Sequence, residues 1–96
     1  MSHTETLEKT ITTLPNLYSV IFINDDYTTQ DFVVFVLQQV FNYDINSAFT
    51  KMNEVHVYGK SVIGMYLHET ANQKKFEVDE LSKQHQHPLQ VILEQN

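Results

Sequence analysis

The stretch LYSVIFINDDYTTQDFVVFVLQQVF, residues 17–41, joins two hydrophobic rhythms through one polar corner. Leu17 to Ile23 are mostly β-branched, aromatic or aliphatic, the composition of a strand covered on both faces. Beyond the corner, Phe32, Val36 and Val40 recur every fourth residue, with Val33, Leu37 and Phe41 beside them. That is the stripe of an amphipathic helix. Thr28 stands three residues before Asp31, an approximate capping box with Asp in place of Glu or Gln, and Asn42 marks the stop. The corner itself sets Asn24, Asp25 and Asp26 against the end of an apolar strand. Adjacent carboxylates repel, so this corner calls for a positive group or for backbone amides to meet it.

Working outward, a second helix is expected from Asp44, whose carboxylate can cap it. Ile45, Ala48, Phe49, Met52 and Val55 follow at spacings of three and four. His56, four residues after Met52, falls on or near the same face, and Gly59 closes the segment as a left-handed cap. KSVIGMYLH (60–68) reads as a second strand in which Gly64 marks a bulge or a close backbone approach. Residues 69–84 form a weaker helix with a narrow stripe of Ala71, Val78 and Leu81. HPLQVILEQ (87–95) is a third strand, with Leu89, Val91 and Leu93 on one face and Pro88 at its start, where proline is tolerated. The order β-α-α-β-α-β predicts an α+β sandwich, a three-stranded antiparallel sheet with three helices covering one face.

Ninety-six residues suffice for a single core. Residues 1–15 are polar and end in Leu14-Pro15, so they read as a flexible N-terminal arm, with 16–96 as the one folded domain. Six Lys and Arg against twelve Asp and Glu leave a net charge of −6. Phosphate neutralisation supplies most nucleic-acid affinity, and this chain has few cations for it, so nucleic acid is not an expected partner. An acidic surface suits a cationic partner or ligand. No apolar run approaches the roughly 20 residues that span a bilayer, and the N-terminus has no signal-peptide pattern. The expectation is a cytoplasmic protein without membrane contact. Cysteine is absent, which removes disulfides, thiolate metal sites and a Cys nucleophile.

The remaining chemistry lies in histidines and acids. His85 and His87 form a His-x-His pair that Asp25, Asp26 and His56 could supplement as a metal-dependent hydrolytic site, but no further ligand has metal-site spacing. Solvated loop histidines are the alternative. No Gly-x-Ser-x-Gly elbow occurs. Asp25 and Asp26, as neighbours on an extended chain, point to opposite faces and do not form an acid/base pair. Neither an enzyme nor a bound cofactor or metal is expected. What is left is a polar cluster beside an apolar one. Asn24 and Asp25 end the first strand, while His56 ends the second helix next to Met52 and Val55. Converging at the rim of a hydrophobic hole, they suit a ligand with a cationic head and an apolar body. On local chemistry alone, a turn, a helix cap and a core-edge histidine account for the same residues more simply.

VIFINDDYTTQDFVVFVLQQVF, then MNEVHVYGK, then HPLQVILE resemble, in order and spacing, the ClpS family of bacterial N-degron adaptors, over roughly residues 17–95. The resemblance implies an adaptor that binds substrates by a free N-terminal Leu, Phe, Tyr or Trp. It delivers them to the AAA+ unfoldase ClpA of the ClpAP protease. It also implies that Asn24, Asp25 and His56 hold the α-amino group and first peptide unit. Thr28, Gln30, Val33, Met52, Val55 and Leu89 then wall the pocket, and Glu69 and Lys74 face the N-terminal domain of the unfoldase. Asp26 is left to cap or shape the turn. Two positions depart from the family pattern. Gln30 stands where many members carry a Met that guards the pocket against β-branched side chains, and Thr29 replaces a common Pro. The competing reading is a binding module of similar fold with a different protein partner, such as a ribosomal-stalk domain, against which the acidic charge argues.

Overall fold

A computed structural model describes residues 17–96; the arm expected over 1–15 lies outside the described residues. The elements follow the expected order: β1 (Leu17–Ile23), α1 (Gln30–Phe41), α2 (Ile45–Tyr58), β2 (Lys60–Leu67), α3 (His68–Gln84) and β3 (Gln90–Gln95). The sheet order is β2-β1-β3, with both pairings antiparallel. β1 is therefore the central strand, and Ser19, Val20, Ile21 and Phe22 are buried in succession.

Alternation along β1 sorts its side chains. Val20 and Phe22 enter the helix-covered core with Ile63 and Val91, joined by Tyr18, Tyr66 and Leu93 at its margin. Ile21 is equally buried but lies outside that cluster, flanked across the strands by Val62 and Ile92. From the helices, Phe32, Val33, Val36, Leu37 and Val40 of α1 meet Ala48, Met52 and Val55 of α2 and Ala71 and Val78 of α3. Of the narrow stripe read for α3, Ala71 and Val78 are buried and Leu81 is half-buried, while Ser82 is buried beside them.

Each helix end has a local cause. Thr29, not Thr28, is the N-cap of α1: its hydroxyl oxygen accepts from the Phe32 N–H at 3.1 Å. A cap accepts from an amide two or three residues on, and the Thr28 hydroxyl is instead donated to Asp25. Asp44 caps α2 by accepting from the Ser47 N–H at 2.8 Å. Asn42 and Gly59 end α1 and α2 in the left-handed region, at φ 58° and 86°. Lys74 supplies a cap from outside, donating from Nζ to the Val40 carbonyl at 2.8 Å near the end of α1.

Gly64 satisfies both readings offered for it. The β1–β2 register shifts between Val20 and Ile21, so that Ile63 is the extra residue of a bulge. A Cβ on Gly64 would lie 2.6 Å from the Tyr66 phenol oxygen, so the ring covers the bare backbone. The third strand is shorter than its apolar run. Residues 87–89 stay outside it because the chain turns at Gln86, at φ 59°, and the His87 N–H donates to the Ser82 carbonyl rather than to β1.

Candidate functional site

The polar corner after β1 is built by Asp25. Its Oδ1 accepts from the Tyr27 N–H at 2.8 Å and the Thr28 N–H at 2.6 Å, and its Oδ2 accepts from the Thr28 hydroxyl at 2.7 Å. Burial pushes the Asp25 carboxyl up. The hydrogen bonds from the Thr28 hydroxyl and the Thr28 and Tyr27 amides, with the charge of His87, outweigh that, and the group is held below the usual carboxylate range. The turn-shaping role expected of Asp26 therefore belongs to Asp25. Asp26 is exposed and makes no hydrogen bond or ion pair among the described residues. Short side chains two and three residues ahead of free amides close such turns, and only Asp25 has that spacing to both Tyr27 and Thr28.

The corner is tied to the end of α2. The Asn24 N–H donates to the Gly59 carbonyl at 2.8 Å. This bond brings the end of β1 against the segment that carries His56. Between them opens a cavity of about 230 Å³. Asn24, Asp25, Asp26, Thr28 and Gln30 line it from the corner and the start of α1, and Val33 lines it from further along α1. Met52, Val55 and His56 close it from α2.

Val33, Met52 and Val55 are buried and give the cavity an apolar base. Asn24, Asp26, Gln30 and His56 are exposed, and their side chains have no hydrogen-bond or ion-pair partner among the described residues. Polar groups without internal partners around an apolar base can meet a ligand's donors at no cost to the fold.

Leu89, expected to wall this site, precedes β3, is 6 % exposed, and belongs to the same core cluster as Val33, Met52 and Val55, but it is not among the residues that line the cavity. Conversely, Asp26 lines the cavity although sequence reasoning assigned it to the turn. Glu69 is exposed in the first turn of α3, and Lys74 lies over the Phe41 ring at 5.8 Å. His85 and His87 lie against aromatic rings of α1. The His87 ring stacks on Phe32 at 4.2 Å and His85 lies 5.6 Å from the same ring. Among the described residues, no three His, Cys, Asp or Glu side chains come together to hold a metal.

The family described as ATP-dependent Clp protease adaptor protein ClpS matches residues 13–92. The chain belongs to the ClpS family. Among ClpS relatives, the adapter of Xanthomonas campestris is 47% identical over 81 residues, which cover 84% of this chain and 76% of the relative. ClpS 2 of Rhodopseudomonas palustris is 42% identical over 89 residues, 93% of this chain and 82% of the relative. The solved structure of Agrobacterium tumefaciens ClpS2 bound to L-phenylalaninamide superposes with a TM-score of 0.83 at 32% identity. That match covers 86% of this chain and all of the other. The fold and the role of adaptor to the ATP-dependent Clp protease are thus those of ClpS. No described helix is long and apolar enough to cross a membrane.

Proposed function

We propose that the cavity receives the first residue of a substrate that begins with a free Leu, Phe, Tyr or Trp. The bound substrate is then handed to a ClpA-type AAA+ unfoldase in the cytoplasm. The observation that carries this reading is the ring of partnerless polar side chains, Asn24, Asp26 and His56, around the apolar base of Val33, Met52 and Val55. The ClpS2 neighbour's ligand, L-phenylalaninamide, has the matching chemistry: a free α-amine beside an aromatic side chain.

An α-ammonium brings three donors and a positive charge, so it needs acceptors. The Asn24 amide oxygen, the carboxylates of Asp25 and Asp26, and a neutral His56 nitrogen are acceptors. Asp25 keeps its charge because the corner holds it ionised, and Asp26 has both oxygens available. Each charge-assisted bond contributes roughly 1.5–3 kcal/mol, and burial of a Leu or Phe side chain roughly as much again. Association costs at least about 4 kcal/mol, so neither half binds well alone. The joint demand for a free amine and a bulky apolar side chain sets specificity, and the capture calls for neither cofactor nor covalent chemistry. Gln30 and Thr28 complete the wall, and Glu69 and Lys74 on α3 face the unfoldase.

The test is a fluorescence titration with two peptides that differ only at the amine. A peptide with free N-terminal Leu is expected to bind near the micromolar range, and its N-acetylated form at least about tenfold more weakly, the loss of one charge-assisted bond. Equal affinity for both would end the amine-capture reading.

A further inference from the structure

An adaptor must hold two partners at once, and the structure contains a second hollow away from the first. It lies between α1 and α3, has a volume of about 300 Å³, and is lined by Gln39, Val40, Phe76, Glu77, Glu80 and Leu81. The two cavities share no residue. Gln30 and Gln39 are nine residues apart on α1, about 14 Å along the helix axis at the usual rise.

The groove is greasy below and acidic above. Val40 is buried at its base and Leu81 half-buried, while Phe76 stands 60 % exposed beside them. An aromatic ring left in water next to an apolar hollow is the kind of group that anchors an interface. The lining contributes two carboxylates and no cation among the described residues. Glu77 meets only the neutral Gln73 amide at 3.3 Å, and Glu80 has only a loose contact, 3.9 Å, with the well-exposed Lys83. Val40, at the base, is also the residue whose carbonyl accepts from Lys74, so the groove adjoins the part of α3 proposed above to face the unfoldase.

We infer that this groove docks a segment of the unfoldase partner that inserts one apolar side chain against Phe76, Val40 and Leu81 between Lys or Arg residues that pair with Glu77 and Glu80. The inference rests on the adaptor reading and extends its second interface from Glu69 and Lys74 along α3. The apolar contact supplies affinity, and the carboxylates supply orientation and a salt-dependent encounter rate.

The test titrates the full chain with the N-terminal domain of a ClpA-type unfoldase, comparing wild type, Phe76→Ala and the double variant Glu77→Lys/Glu80→Lys. Both variants alter exposed or half-exposed side chains, and thermal melts verify that they fold. Each is expected to weaken unfoldase binding about tenfold, the range of an interface anchor. The double variant is also expected to flatten the dependence on salt. Binding of a Leu-initiated peptide stays within twofold of wild type in both. Unfoldase binding that is unchanged in both variants overturns the inference. So does a change in self-association of either variant with unfoldase binding intact, which would assign the groove to a second copy of the chain. Failure of wild type to bind the unfoldase domain, with peptide capture intact, would instead strike the choice of partner.

Discussion

At the scale of single residues, the two carboxylates of the corner divide their labour. Asp25 accepts three hydrogen bonds from Tyr27 and Thr28, while Asp26 next to it has no internal partner among the described residues. Asp26→Asn is therefore expected to weaken a Leu-initiated peptide about tenfold without moving the melting temperature, because only a charge-assisted bond to ligand is lost. His56→Ala should behave the same way. Asp25→Ala should cost about 1 kcal/mol in urea unfolding as well as affinity, since it removes the acceptor that closes the turn. The pH dependence has a definite sign. A carboxyl held low in the fold stabilises it at pH above its ordinary value, 3.8, and that contribution fades as pH falls through the lowered value. The stability gap between wild type and Asp25→Ala should therefore narrow in acid. A gap that widens or stays level would remove Asp25 from this role. The division of labour could not be read from "NDD", because both residues are acidic and only backbone placement decides which one meets the amides.

At the scale of elements, the caps were largely legible. Asp44, Asn42 and Gly59 end helices where the sequence places them. The exception is the start of α1, displaced by one residue because Thr28 donates its hydroxyl to Asp25 and leaves Thr29 to cap. Thr29→Ala is expected to cost about 1 kcal/mol, and Thr28→Ala to act through Asp25 instead, narrowing the acid-dependent part of stability. Gly59→Ala is expected to cost about 1 kcal/mol purely from backbone conformation. Its φ is 86°, yet nothing lies within 4 Å of the added Cβ, so crowding does not contribute. The Lys74 ammonium joins α3 to the end of α1 through Val40. Lys74→Ala should therefore lower stability by several tenths of a kcal/mol in addition to any effect on a partner, and Glu69→Ala, which removes a carboxylate from the first turn of α3, should cost a few tenths as well. Urea unfolding measured beside unfoldase binding separates docking from folding. The strand β3 was read three residues too long. Its apolar content extends back to Leu89, but the left-handed turn at Gln86 sends residues 87–89 into the core and loop before pairing begins.

At the scale of the molecule, a central strand feeds both the core and the site. β1 pairs on both edges and delivers its last residues to the corner, and the Asn24–Gly59 bond holds that corner against α2. The cavity is thus a junction of three elements. A ligand that fills it should stabilise the whole fold by mass action. At a hundredfold excess over Kd, a Leu-initiated peptide is expected to raise unfolding stability by about 2.7 kcal/mol, read as a higher melting temperature. At the same concentration its N-acetylated form, at least about tenfold weaker, should give at most about 1.4 kcal/mol. A free-amine peptide that binds without raising the melting temperature would mean that it also binds the unfolded chain.

Periodicity and punctuation by themselves determined the element order, the sandwich and the helix stripes, because apolar spacing and cap chemistry act over a few residues. They also brought Asn24, Asp25 and His56 into one hypothesis, since each ends an element. Only the tertiary structure decided that Asp25 closes the turn as well as lining the cavity while Asp26 lines it without an internal partner among the described residues, that Leu89 is buried in the core, and that α1 and α3 leave a second, acidic groove around Phe76. The reason is geometric. Which side of the chain a residue faces depends on backbone turns and on packing between segments distant in sequence, and no local pattern encodes either.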